Sequence, residues 1–154
     1  MIARAAAAVL CLVPAVGWAS CAEDRVTVFG DWGQARFSVR VADDVAERSQ
    51  GLMFVESMPL MEGMLFVYPR PQRATFWMRN TLIPLDMIFV APDGEVLNIH
   101  SNAIPLDETT IDGGEGVQYV LELNGGLAER LGITVGDVLQ HPSIALNALK
   151  PCKN

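Results

Sequence analysis

Basic residues, and charge in general, are scarce in this chain of 154 residues. Lys and Arg number 11 against 18 Asp and Glu, only 19% of residues are charged, and 51% are hydrophobic. The net charge of -7 argues against a general nucleic-acid binder or a binder of anionic membranes, because both need surplus Lys and Arg to neutralise phosphates. The low charge and high hydrophobic content also argue against disorder, so we expect one small, acidic globular domain.

Histidine and the common catalytic motifs are also rare or missing. The two histidines, His100 and His141, are far apart in sequence, which is not the spacing of a metal site. The chain has no Gly-x-Ser-x-Gly, no His-Glu-x-x-His and no phosphate-binding glycine loop. We therefore expect no metal and no cofactor, and we favour a binding domain over an enzyme. An envelope hydrolase in which His100 works with a nearby carboxylate, Asp86 or Asp107, is the first alternative.

The longest apolar run lies near the N-terminus and is too short to span a bilayer. Ala5–Val16 provides 12 residues without a charge, whereas a membrane helix needs roughly 20. A basic residue before the run and small residues after it are typical of a secretory signal peptide. We assign residues 1–19 to this signal and 20–154 to a single β domain, which we expect to be periplasmic or secreted, with no transmembrane span in its mature form.

The three cysteines support export and leave a choice of processing routes. Cys11 would leave with the signal, so cleavage after Ala19 keeps an even pair, Cys21 and Cys152, at the two ends of the domain. In an oxidising compartment this pair predicts a disulfide, which would stabilise the fold by about 4 kcal/mol in the chain-entropy model. Cleavage after Ala22, or lipidation of Cys21 to give a lipid-anchored protein, is incompatible with that bridge.

Short apolar segments separated by turn residues dominate the rest of the chain. Alternation and turn chemistry predict strands at 35–41, 64–68, 74–78, 86–90, 96–100, 118–123 and 138–139, and short helices at 43–51 and 127–131. Pro69 and Pro71 predict a loop between the second and third strands. Residues 101–116 are polar and predict a long loop.

Many short strands with few helices predict a mainly β fold. The arrangement expected from this pattern is a small antiparallel β sandwich or flattened barrel, similar to a jelly roll, with one or two short helices. The whole domain would then have a single core built from alternating strand residues.

Several motifs resemble the bacterial and archaeal family named domain of unknown function 192. The motifs are Gly51-Leu52-Met53, Gly63-Met64-Leu65-Phe66, Phe76-Trp77-Met78-Arg79-Asn80-Thr81, Pro84-Leu85-Asp86, Tyr119-Val120-Leu121-Glu122-Leu123, Gly126, Leu131-Gly132 and Gly136-Asp137. The resemblance covers about residues 35–140. It implies a jelly-roll-like β fold and, for many members, export; it implies no particular activity, cofactor or substrate.

The candidate binding residues are Trp77, Arg79, Asn80, Thr81 and Asp86. Planar guanidinium groups suit carboxylates, and aromatic faces suit sugars, so this segment could bind an anionic or carbohydrate-like ligand. We expect the site at an edge formed with the 101–116 loop, occupied by a small ligand or an envelope protein. The structural alternative is an Arg79–Asp86 ion pair, with Asn80 and Thr81 bonding turn backbone.

A methionine triplet provides the third functional hypothesis. Met58, Met61 and Met64 recur at thioether spacing that Cu(I) could exploit outside the cytoplasm. Pro59 and Gly63 lie inside the triplet, so no helix would hold the three sulfurs on one face.

Overall fold

The computed structural model describes residues 21–145 and 147–152. The predicted signal peptide at 1–19, and the cleavage site after Ala19, lie outside the described residues. None of the helices in the described part of the chain is long and apolar enough to cross a membrane.

Within the described residues, seven strands form one sheet, and two short helices flank it. The elements are β1 Arg25–Gly30, β2 Gly33–Ala42, α1 Val45–Gln50, β3 Glu62–Phe76, β4 Leu85–Val90, β5 Val96–Ala103, β6 Ile111–Asn124, α2 Leu127–Leu131 and β7 Val138–Gln140. The strand order is β5-β4-β6-β3-β2-β1-β7. All neighbouring pairs are antiparallel except β2 and β3, which run parallel.

The prediction of a mainly β fold is confirmed, but the prediction of a sandwich is wrong. The sheet is single, mixed and curled into a half-barrel. All six residues of β4 are buried, because β4 lies between β5 and β6 and both faces of the sheet are covered there. A sheet covered on both faces by loops and helices needs no second sheet to bury its apolar side chains.

Each face of the sheet carries its own apolar cluster. One cluster includes Val28, Phe37, Leu65, Ile88, Leu121 and Leu139. The other includes Leu52, Met64, Phe66, Met78, Met87, Phe89 and Val120. Neighbouring residues along β6 alternate between these clusters because successive side chains of a strand point to opposite faces.

The two prolines lie inside a strand, where a loop was predicted. β3 is continuous from Glu62 to Phe76, but β2 pairs with it only as far as Phe66. On its other edge, the register with β6 shifts between Val67 and Gln72. Pro69 and Pro71 therefore occupy positions where ladder hydrogen bonds are already interrupted, which is where strands tolerate proline.

The predicted loop at 101–116 is mostly strand. β5 continues to Ala103 and β6 begins at Ile111. Gly114 and Gly116 have left-handed backbone angles, with φ of 88° and 77°, and the β3–β6 register shifts beside them. The glycines and polar residues of this stretch are typical of a loop, but here they form a bulged strand. Bulges use positive φ values, which glycine adopts freely.

The helices and the terminal cysteines agree with the sequence-based predictions. Asp44 and Glu47 form the predicted capping box at the start of α1. The Sγ atoms of Cys21 and Cys152 lie 2.01 Å apart and their Cα atoms 5.7 Å apart. The two ends of the domain are thus joined at disulfide distance.

Candidate functional site

A cavity of about 290 Å³ opens beside α1, against β3 and β6. Its wall consists of α1 and the residues after it, the middle and the C-terminal end of β3, the segment that follows β3, and one residue of β6. The lining residues are Arg48, Ser49, Gln50, Gly51, Leu52, Met53, Phe66, Tyr68, Thr75, Phe76, Trp77, Arg79, Thr81 and Glu122. We call this the Glu122 cavity.

Glu122 is the unusual residue of this cavity. Its side chain is 4% exposed, and its Oε2 atom has no hydrogen-bond partner among the described residues. It is in register with Met64 on β3 and with Met87 on β4, and both methionines are buried. Burial raises the pKa of Glu122 to about 8, because a carboxylate in apolar surroundings loses its hydration. Glu122 is therefore mainly a neutral acid at neutral pH.

Arg48 and Tyr68 form the α1 side of the cavity. One nitrogen of Arg48, Nη1, donates to the carbonyl of Val67 at 2.9 Å and to that of Asp43. The guanidinium lies 5.3 Å from the centroid of the Tyr68 ring. Burial raises the pKa of Tyr68; Arg48 opposes this rise and Glu122 adds to it. The Arg48 guanidinium is fixed by backbone carbonyls, and in the described part of the chain it forms no ion pair with Glu122.

Trp77 and Arg79 form the exposed side. The Trp77 side chain is 46% exposed, and the Arg79 guanidinium lies 5.3 Å from its ring centroid. The segment that carries them is anchored by a bond from the Met78 amide to the carbonyl of Asp107 at 2.8 Å. Among the described residues, the Arg79 guanidinium makes no hydrogen bond, so it is available to a ligand.

The structure separates the other predicted site residues. Thr81 lines the cavity, is buried, and donates to the Arg79 carbonyl at 3.3 Å. Asn80 is not a lining residue. Its φ is 54°, its side-chain nitrogen lies 3.8 Å from the sulfur of Met53, and its carbonyl accepts from the Phe54 amide at 2.8 Å. Asn80 thus shapes the turn on which Arg79 is presented.

Asp86 lies apart from the cavity and accepts hydrogen bonds from backbone amides. Its side chain is fully buried, and its two oxygens accept from the amides of Asn102 at 2.7 Å, Gly126 at 2.8 Å and Ala128 at 2.7 Å. The ion pair between Asp86 and Arg79 that we considered is absent from the described part of the chain. The geometry gives Asp86 a structural role at the start of α2.

The geometry does not favour the two alternatives from sequence. His100 is exposed on β5 and lines neither the Glu122 cavity nor the groove described below; within the described residues it makes no ion pair with a carboxylate. Of the methionine triplet, Met64 is buried in the core while Met61 is 39% exposed. No group of three or more His, Cys, Asp or Glu suited to a metal occurs in residues 21–145 and 147–152.

A second concavity, the Trp32 groove, measures about 610 Å³ and lies between β1 and the segment before β7. Its buried acid, Asp137, accepts from the Trp32 indole at 2.7 Å and from the Thr134 amide at 2.9 Å. The buried carboxylate of this groove is thus bonded within the fold, unlike Glu122.

Sequence reasoning found three of the residues that line the cavity and missed the acid in its floor. Trp77, Arg79 and Thr81 were predicted, whereas Arg48 and Glu122 were not. One signal was present: Glu122 is the only charged residue between Val117 and Leu123, and an acid inside such an apolar strand is seldom fully buried without a partner.

Comparisons with known proteins agree on the family and the fold. The model of the DUF192 family, described as "Uncharacterized ACR", matches residues 26–141. A Novosphingobium aromaticivorans protein of unknown function is 50% identical, with a TM-score of 0.73; the match covers 75% of this chain and 82% of that one. A Sinorhizobium meliloti protein described as a candidate transcription regulator is 42% identical, with a TM-score of 0.76, covering 82% and 99%. No curated protein matches the chain.

Proposed function

The chain belongs to the DUF192 family, and we propose that it is a non-catalytic, ligand-binding domain of the cell envelope that takes a small anionic ligand into the Glu122 cavity. The observation that carries this proposal is the Oε2 atom of Glu122, which is buried at the cavity without a hydrogen-bond partner in the described residues. An unsatisfied buried polar atom costs about 1–3 kcal/mol. In native folds such an atom calls for a partner from outside the chain or for a functional use.

The charges around the cavity favour an anion. Arg48 and Arg79 both line it, and the one acid among its described lining residues, Glu122, is mainly neutral at neutral pH because burial raises its pKa to about 8. The wall therefore carries net positive charge within a chain that is acidic as a whole. A guanidinium fork such as that of Arg79 matches the two oxygens of a carboxylate.

The size and lining of the cavity favour a monosaccharide-sized ligand. A volume of about 290 Å³ is just below the range of about 300–1,000 Å³ that drug-sized ligands occupy. Trp77 provides an exposed aromatic face, and Thr75 and Thr81 provide hydroxyl groups. Together with the arginines, this set suits a small hydroxy acid or sugar acid.

The types of residue that line the cavity favour binding over hydrolysis. Among the described residues that line the cavity, one is a carboxylic acid and none is histidine or cysteine. Hydrolases use a nucleophile beside a base, or a pair of carboxyl groups. The cavity offers neither pair.

We also propose that the domain acts in the periplasm or outside the cell. The signal-like composition of residues 1–19 supports this. So does the bonding distance between Cys21 and Cys152, since disulfides persist in oxidising compartments. The net charge of -7 is unfavourable for binding DNA phosphates, which argues against a regulator that binds DNA.

Binding is tested by calorimetry and thermal shift with a panel of small anions that includes acetate, lactate, D-glucuronate, citrate and inorganic phosphate. At least one should bind, and Arg79→Ala should weaken that binding about tenfold, the effect of losing one charged hydrogen bond. Arg36→Ala removes the same charge from the exposed face of β2 and should leave affinity unchanged. Absence of binding across the panel, or an equal effect of both variants, contradicts the proposal.

A further inference from the structure

The surroundings of Glu122 limit what can satisfy its Oε2 atom. From the sheet, Met64 and Met87 flank it and offer no donor. The charged and titratable groups that line its cavity are Arg48 from α1, Tyr68 from β3 and Arg79 from the segment after β3. None of them bonds to Oε2.

A ligand could satisfy this atom in two ways. A cationic ligand would pair with an ionised Glu122 and so release the proton. An anionic ligand would accept a hydrogen bond from the protonated carboxyl group and so retain the proton. Two guanidinium groups at the same cavity repel a cation and attract an anion, and both effects are strengthened where water is excluded. The second way is therefore favoured.

We propose that the ligand is a carboxylate, and that it binds together with one proton shared between its own carboxylate group and that of Glu122. This inference rests on the proposed function. No covalent bond forms or breaks: the hydroxyl of Glu122 donates to one oxygen of the ligand, while Arg79 pairs with the ligand's negative charge. Hydrogen bonds from a carboxylic acid to a carboxylate are short and strong, at about 2.5–2.7 Å.

Proton-coupled binding has a definite pH dependence. Glu122 in the empty site has a pKa of about 8, so above that pH the free protein must take up a proton before the carboxylate binds. Affinity should then be about tenfold weaker at pH 9 than at pH 7. Glu122→Gln should bind with little change over this range, because the Gln amide also donates a hydrogen bond but does not titrate.

The test is isothermal titration calorimetry at pH 8, in two buffers that differ in ionisation enthalpy. Three matched pyranoses are the probes: D-glucuronate carries a carboxylate, D-glucose carries no charge, and D-glucosamine, titrated separately at about pH 6.5 where its amine is protonated, carries an ammonium group. Acetate and lactate are added as smaller carboxylates, and inorganic phosphate is added as an anion without a carboxylate. The carboxylates should bind with uptake of about half a proton per site, since Glu122 is then about half protonated. Glucose and glucosamine should bind much more weakly.

The outcomes separate this inference from the proposed function. Proton uptake with a carboxylate in the wild-type protein, lost in Glu122→Gln, supports it. Carboxylate binding without proton uptake overturns it, as does glucosamine binding with proton release. If no carboxylate binds but phosphate does, the inference fails and the anion site survives. If no anion binds, both fail.

Discussion

Glu122 and Met87 lie directly opposite each other on the antiparallel strands β6 and β4. Residues that pair in this way share one face of a sheet, so the carboxyl group is on the same face as a fully buried thioether. Met64 occupies the matching position on β3. Glu122 is therefore held in the apolar cluster of one sheet face, and a polar partner can reach its carboxyl group from the cavity.

Replacing Glu122 should stabilise the domain at alkaline pH. Burial raises the pKa of Glu122 from 4.5 to about 8, so between these values the folded state holds a proton that the unfolded state lacks. The contribution of Glu122 to stability should therefore be greatest below pH 4.5, fall as pH rises to about 8, and change no further above it. The loss amounts to at most about 5 kcal/mol. Glu122→Gln should remove this slope.

Urea unfolding at several pH values measures this slope. Glu62→Gln is a matched control, because Glu62 is an exposed residue of β3 and its removal should leave the slope intact. A pH profile that is the same in Glu122→Gln and in the wild-type protein contradicts the assignment of a neutral, buried acid.

Removing the charge of Asp86 should destabilise the fold. Its carboxylate accepts from three backbone amides, those of Asn102, Gly126 and Ala128. Asn in its place has a single acceptor oxygen, so Asp86→Asn leaves at least one buried amide without a partner and should lower the free energy of unfolding by about 2–4 kcal/mol. Asp43→Asn, at an exposed position before α1, should change it little. Equal stability of both variants in urea denaturation shows that Asp86 does not hold this backbone.

Arg79 and Asn80 should respond differently to alanine although they are neighbours. The Arg79 side chain is exposed, so Arg79→Ala should change the free energy of unfolding by less than about 0.5 kcal/mol. Asn80 has a φ of 54°, which alanine adopts poorly, so Asn80→Ala should cost about 1 kcal/mol and Asn80→Gly less. Thermal denaturation of the three variants measures these differences in stability. A larger loss of stability in Arg79→Ala than in Asn80→Ala would assign the structural role to the arginine.

A disulfide between Cys21 and Cys152, which lie at bonding distance, should contribute substantially to stability. The two residues are 131 positions apart, and closing so long a loop is worth about 4–5 kcal/mol in the chain-entropy model. The double variant Cys21→Ser, Cys152→Ser should unfold at lower urea concentration, and reductant should affect only the wild-type protein. Intact mass measured with and without reductant checks that the bridge is present; identical unfolding of the two proteins shows that it contributes nothing.

Local patterns predicted the elements whose signals do not depend on distant partners. The alternation at 35–41, the capping box of Asp44 and Glu47, and the turn at Pro92-Asp93-Gly94 all correspond to observed elements. Pro69 and Pro71 led to the wrong prediction of a loop, because β3 tolerates them at positions where β2 has stopped pairing. Where that pairing stops depends on tertiary structure and not on local sequence. For the same reason, apolar strands could not show whether they form one curled sheet or two packed sheets.

The residues of the candidate site likewise divide into those that local sequence predicts and those that it does not. Trp77 and Arg79 were found because they lie two positions apart in sequence and belong to one motif. Arg48 and Glu122 reach the same cavity from α1 and β6, and no local spacing joins these two elements. The chemistry of Glu122 comes from Met64 and Met87 on neighbouring strands, so its raised pKa could not be read from the residues beside it in the chain.

The most direct test of this account is a carbon-13 NMR titration of the Glu122 carboxyl group, assigned by its loss in Glu122→Gln. We predict a midpoint near pH 8 in the free protein, moving upward in saturating D-glucuronate because the shared proton is held more tightly. A midpoint near the ordinary 4.5 of a glutamate, or a downward move with the carboxylate, would contradict the central claim.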